Sequence, residues 1–180
     1  MTDVPSPEPD LSEAFKGAFR QHPAGVAILT ADPGDGPVAL TVSSLISVSA
    51  APPTVAFSLS EGSTSSAPLL RAETLVIHLL RRQDRPLADL CATKGADRFG
   101  PGVRWDRLPG GEPFYMGVAN WFQARILHRF PVAGATLVVA ELMAGQVDRS
   151  EAGHKESLVY LDRRWHGLHP APEPMSDPAA

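Results

Sequence analysis

From Val26 to Leu161 the chain is cut into short β-rich runs by Pro, Gly and Asp, which leaves room only for short helices. Val26-Ala27-Ile28-Leu29-Thr30 is followed by Asp32-Pro33-Gly34-Asp35-Gly36-Pro37, a turn by residue type. Val38 to Ser44 is therefore expected to return as its hairpin partner. Pro52-Pro53 precedes the run Val55 to Leu59, and Thr74 to Leu80 predicts another strand. Beyond a Gly/Pro-rich segment around 100–113 lie two long candidates, 118–129 and 137–147, and a short one, Ser157 to Leu161. Asp10, three residues before Glu13, has the spacing of a helix start, and Leu11, Ala14, Phe15, Ala18 and Phe19 recur at helical spacing, so a helix is expected over 11–21. Ser63 to Arg71 reads as a short helix. Asp84 to Ala92 reads as another, with Asp84 as cap and Pro86 in the first turn. Six to eight strands with two or three short helices predict a mainly β fold, an antiparallel barrel.

One segment is chemically out of place in such a fold. In Leu40 to Ser49, Thr41, Ser43, Ser44, Ser47 and Ser49 set hydroxyls between apolar residues. Hydroxyls beside free backbone N–H groups can hold a phosphate or a polyol without a charged side chain. A phosphorylated cofactor is the first expectation; an edge strand with its hydroxyls in water is the alternative.

The 180 residues suit one domain, expected over 11–168, with Pro-rich disordered segments at 1–10 and 169–180. Sixteen basic against twenty acidic residues give a net charge of −4, which argues against nucleic acid as a partner. Residues 81–107 run the other way, with seven bases against four acids, a local excess able to attract an anion. Cys91 is the single cysteine, so no intrachain disulfide forms. The absence of a long apolar run and of a basic-then-apolar leader predicts a cytoplasmic protein with no membrane contact. His166 and His169 lack companions for a metal site, and Cys91 beside Leu90 and Ala92 reads as a small core residue.

Taken in order, several motifs resemble the flavin reductase-like family, whose fold is an FMN-binding split β-barrel. Phe19-Arg20 with His22-Pro23-Ala24-Gly25-Val26 resembles its opening helix-to-strand junction. Thr41-Val42-Ser43-Ser44-Leu45 with Ser47-Val48-Ser49 and Pro52-Pro53 resembles its flavin-binding strand and turn. Ser63-Thr64-Ser65, then Arg98-Phe99 with Trp105, and finally Leu158-Val159-Tyr160 with Arg164-Trp165 resemble later pieces. The resemblance implies an NAD(P)H-dependent flavin reductase that passes a hydride from NADH or NADPH to flavin N5, with FMN preferred and FAD as alternative. It also implies a homodimer with flavin at the subunit interface, and a flavin-dependent monooxygenase component as a partner that takes reduced flavin. Phe114, Tyr115, Trp121 and Phe122 are candidates for that interface.

On this reading Thr41, Val42, Ser43 and Ser44 face the ring and ribityl chain. Ser58, Ser63, Thr64 and Ser65 take the ribityl and phosphate end, Arg98 supplies positive charge, and Phe99 offers a ring face. No catalytic acid or base is assigned, because hydride transfer needs stacking and orientation rather than proton transfer. The chain departs from the family at Gly134-Ala135-Thr136-Leu137, which stands where reductases show Gly-Asp-His, and at His78, where the family usually has Asn. The departure keeps two further readings open: an FMN-binding protein without turnover, and a split barrel holding haem or a deazaflavin.

Overall fold

The computed structural model describes residues 10–149 and 156–168, so the expected disordered segments at 1–9 and 169–180 lie outside the described residues. In chain order the elements are α1 (Leu11–Arg20), β1 (Ala24–Gly25), β2 (Ala27–Ala31), β3 (Val38–Val42), β4 (Ile46–Ala50), β5 (Pro53–Ser60), α2 (Ser66–Arg71), β6 (Thr74–Leu79), α3 (Arg85–Ala92), β7 (Trp105–Arg107), β8 (Pro113–Tyr115), β9 (Asn120–Val132), β10 (Ala135–Gln146), β11 (Leu158–Leu161) and β12 (Arg164–Gly167). The anticipated β2–β3 hairpin forms, pairing Ala27 with Val42 through Ala31 with Val38. Its turn is fixed by Asp32, whose carboxylate accepts from the N–H groups of Gly34 and Gly36.

The main sheet is antiparallel throughout, in the order β3-β2-β6-β9-β10-β5-β4. Its two edge strands, β3 and β4, are consecutive in sequence and joined only by Ser43, Ser44 and Leu45. A link from Val42 to Ile46 reaches at most about 14 Å, whereas seven flat strands at roughly 4.7 Å spacing are about 28 Å wide. The sheet must therefore roll until its edges approach. The result is an open, split barrel, and the hydroxyl-rich link sits at the split.

Leu29, Phe57, Leu59, Leu75, Ile77 and Val138, each 1% exposed or less, fill the barrel interior. A second core lies outside the wall formed by β2 and β6. There Val26, Ile28, Leu80, Ala88, Cys91, Tyr115 and Leu158 pack together with Phe99, Trp105 and Trp165 at their margin. β2 is thus covered on both sides, which explains why it is apolar without alternation. The three-stranded sheet β1-β11-β12 contributes Leu158, Tyr160 and Trp165 to this second core. Tyr115 is buried there, which removes it from the proposed subunit interface; Phe114 packs on Trp121 at 5.5 Å. The largest exposed apolar side chains lie elsewhere, at Leu11, Phe15 and Phe19 on α1 and at Ile46, Val48, Phe130 and Leu137 on the sheet.

The β9–β10 hairpin narrows at Gly145, which pairs with Phe122. A Cβ at Gly145 would lie 2.6 Å from the Trp121 carbonyl oxygen and would also meet the Phe122 ring. Because a backbone atom is among the obstacles, Gly145→Ala is expected to cost about 2 kcal/mol. The midpoint of urea unfolding, measured against wild type, checks this.

Candidate functional site

A groove of about 830 Å³ opens at the split of the barrel. One wall is Ser43, Ser44, Leu45 and Ile46 together with Ser58 of β5. The opposite wall is the last turns of α1 (Phe15, Lys16, Phe19, Arg20), the link His22–Gly25, and the β11–β12 turn from Tyr160 to Arg163. A cavity of this size lies in the range that takes a small organic ligand.

The serine wall has a specific construction. β4 pairs with β5 as far as Ile46 opposite Ala56. The next backbone groups of β5 that would pair with it belong to Ser58, and they meet a side chain instead. The Ser44 hydroxyl donates to the Ser58 carbonyl at 3.0 Å and accepts from the Ser58 N–H at 3.1 Å. One hydroxyl thus substitutes for a strand neighbour. It lets the chain cross the split without leaving a β5 backbone pair open.

The residues proposed from the sequence fall into two groups. Ser43, Ser44 and Ser58 are brought together in the groove. Thr41 and Val42 lie away from it: the Thr41 hydroxyl donates to the Ala88 carbonyl of α3 at 2.9 Å, and Val42 is in the barrel core. Ser63, Thr64 and Ser65 form the turn into α2, which ends in a bond from Ser66 N–H to the Ser63 carbonyl. Ser65 is buried, and its hydroxyl accepts from Arg98 Nη1 at 2.6 Å. Arg98 also donates to the carbonyls of Ala39, at 3.0 Å, and Thr93, at 2.9 Å. Its remaining Nε–H is buried with no partner. The two groups are linked along β3, since Ala39 and Ser43 are four residues apart, about 13 Å of extended chain. Phe99 is a wall of the second core, stacked on Tyr115 at 5.5 Å and edge-on to Trp105 at 5.0 Å.

The arginine-rich stretch is largely neutralised within the fold. Arg81 pairs with Asp148, Arg82 with Glu156, Arg85 with Asp89 and Arg107 with Asp32. His78 is fully buried, its Nδ1–H donating to the Ile28 carbonyl at 3.2 Å and its Nε2 accepting from the Tyr115 N–H at 3.0 Å. Burial lowers its pKa to about 4, so the ring is neutral at pH 7. The Cys91 thiol, 3.3 Å from the Tyr115 hydroxyl, is pushed up to about 11 by burial, which fits a core residue and not a nucleophile. Gly134-Ala135-Thr136-Leu137, which stands in place of the family's Gly-Asp-His, runs from the two-residue β9–β10 turn, Ala133-Gly134 with both residues at positive φ, into β10. No cluster of metal-ligating side chains occurs among the described residues, and none of their helices is long and apolar enough to cross a membrane.

The serine wall of the groove was foreseen from the hydroxyls. The α1 and β11–β12 wall was not, because nothing local in Lys16, Arg20 or Arg163 distinguishes them from ordinary surface charges. Comparison with known proteins covers nearly all of the chain. The sequence pattern of the flavin reductase like domain matches residues 19–169. An NADH:FMN oxidoreductase of Rhodococcus qingshengii is 34% identical over 171 residues, 91% of this chain and 89% of that protein. An FMN reductase (NADH) RutF of Methylorubrum populi is 29% identical, spanning 99% of this chain and 87% of that protein. Among solved structures, a flavin reductase domain protein from Arthrobacter sp. FB24 superposes with a TM-score of 0.82 at 30% identity, covering 89% of this chain and 98% of that one.

Proposed function

The chain belongs to the flavin reductase-like family, and we propose that it is an NADH-dependent FMN reductase whose flavin lies in the groove at the barrel split. The observation that carries this reading is the hydroxyl-lined wall of Ser43, Ser44 and Ser58 at the split between the edges of the rolled sheet. These residues fit a flavin. A ring with N–H and C=O groups and a polyhydroxy chain needs neutral donors and acceptors, which hydroxyls and the backbone of the link supply. Tyr160, in the opposite wall, gives apolar surface for a flat ring. Arg98 and Ser63 to Ser65 do not line the groove, and Arg98 is spent on Ala39, Ser65 and Thr93.

Bound flavin is the hydride acceptor. The protein's part is to bind and orient the two reactants and to keep water from between them. No side chain in the groove is called on to move a proton for that transfer. NADH is assigned over NADPH, and FMN over FAD, on the named activities of the Rhodococcus and Methylorubrum relatives.

A homodimer is part of the reading. The exposed apolar side chains of α1 flank the groove, and Ile46, Phe130 and Leu137 continue an apolar surface across the sheet. A second subunit seated on the Ile46, Phe130 and Leu137 surface would close the groove from the open side. Reduced flavin would then leave to a flavin-dependent oxygenase.

The test is anaerobic mixing of purified protein with FMN and NADH while flavin absorbance is followed. Bleaching with multiple turnovers is expected. Protein that binds FMN yet leaves it oxidised at saturating NADH would instead be a flavin carrier, the reading favoured by Gly134-Ala135-Thr136-Leu137 in place of Gly-Asp-His. A protein that binds no flavin would reject both.

A further inference from the structure

The wall of the groove opposite the serines carries charge that the fold does not use. Lys16, Arg20 and Arg163 line it, against the single carboxylate of Asp162. Lys16 is paired with Glu13 at 2.7 Å. The guanidinium groups of Arg20 and Arg163 have neither a hydrogen bond nor an ion pair among the described residues. Their proximity is built in. The Asp162 N–H donates to the Arg20 carbonyl at 2.8 Å, which ties the β11–β12 turn to the last residue of α1. Asp162 and Arg163 both take left-handed backbone, with φ of 48° and 59°, as a tight two-residue hairpin turn demands. A turn held in this way presents Arg163 from one element beside Arg20 from another.

Two unpaired guanidiniums on one wall of a ligand-sized groove make a site for a multiply charged phosphate, since each can form a forked pair with phosphate oxygens. Phe15 and Phe19, exposed rings 4.4 Å apart, line the same wall and offer a flat apolar face. Diphosphate beside an aromatic base is the chemistry of an ADP group. We infer that Arg20 and Arg163 clamp the diphosphate of the reducing dinucleotide, with its adenine against the Phe15–Phe19 face and its nicotinamide end directed across the groove toward the serine wall. The inference rests on the reductase reading and assigns the nucleotide half of that site. Arg20 and Arg163 are binding residues that set which hydride donor is used.

The experiment pairs Arg20→Gln and Arg163→Gln, singly and together, with three readouts. Calorimetric titration of ADP-ribose, which contains the ADP group and no hydride, is expected to show affinity falling roughly tenfold for each substitution, the scale of a lost charge-assisted contact. The ratio of kcat/KM for NADH to that for N-benzyl-dihydronicotinamide, a donor without phosphates, is expected to fall at least tenfold, mainly through KM for NADH. FMN affinity, measured by fluorescence quenching, is expected to change less than twofold. Unaltered ADP-ribose affinity in the double variant would overturn the clamp, as would absence of ADP-ribose binding to the wild-type protein at millimolar concentration. A fall in FMN affinity with ADP-ribose binding preserved would also overturn it, by assigning the arginines to the flavin. If wild-type protein reduces no flavin with either donor yet loses ADP-ribose affinity on substitution, the reductase reading fails and the clamp stands.

Discussion

Replacing Arg98 by methionine is expected to lower stability by about 3 kcal/mol while the dependence of unfolding free energy on urea keeps its slope. Methionine keeps the aliphatic stem, so the loss falls on the guanidinium. That group donates to Ala39 on β3, Ser65 at the start of α2 and Thr93 after α3, three places with no other common anchor. Removing it leaves the Ser65 hydroxyl, 5% exposed, and two carbonyls short of a donor. Arg98→Lys is expected to recover only part of the loss, since an ammonium cannot fork among three separated acceptors. Urea unfolding followed by intrinsic fluorescence gives the numbers. A change under 1 kcal/mol with a large fall in FMN affinity would show that the guanidinium serves the ligand more than the fold.

His78 makes acid a specific stress on this protein. Its imidazole has a folded pKa of about 4 against an ordinary 6.5, because burial disfavours the charged ring. Above pH 6.5 folded and unfolded chains both hold it neutral, and the full stability is present. Between pH 6.5 and about 4 the unfolded chain takes up a proton that the folded chain refuses, so stability falls as pH falls. Below about 4 both forms carry the proton and the loss levels off, at about 3 kcal/mol. The Tyr115 N–H also loses its acceptor when Nε2 is protonated, which loosens β8 from β6. Urea midpoints from pH 7.5 to 4 measure the effect. In His78→Asn the part of the slope that begins near pH 6.5 should be missing, because an amide has no proton to take up in this range.

Much of the architecture could be read from local pattern. The β2–β3 hairpin followed from its Asp/Gly/Pro turn, and α3 from Pro86 behind Asp84, with boundaries within a residue or two. The split barrel followed from the motif order that resembled the flavin reductase-like family. β4 and β12 were missed for different reasons. β4, Ile46-Ser47-Val48-Ser49-Ala50, alternates but leaves all five residues exposed, so its alternation marks no buried face, and β12 is four residues with polar Arg164 and His166.

The site was partly legible. Ser43, Ser44 and Ser58 were named and do meet. Thr41 was grouped with Ser43 as hydroxyls of one run, yet β3 ends at Val42, and the Thr41 hydroxyl goes to α3 while Ser43 lines the groove. Phe99 and Tyr115 looked available for a ligand or a subunit. Both are consumed by a core that draws on β2, β3, α3, β8 and β11 as well as on loops, so no single period marks it. The cationic wall depends on a bond between residues 142 positions apart, Arg20 and Asp162, and no local window contains both.

The hydroxyl that stands in for a strand neighbour at Ser58 has a dynamic consequence. A backbone partner is held by its own ladder, whereas the Ser44 side chain can leave by turning about one bond. The Ser58 amide should therefore trade its proton for deuterium well ahead of Phe57 and Leu59 on either side, through a local opening that leaves the rest of the barrel shut. The protein would then carry a small built-in door hinged on a single rotamer, at the place where a guest molecule has to come and go.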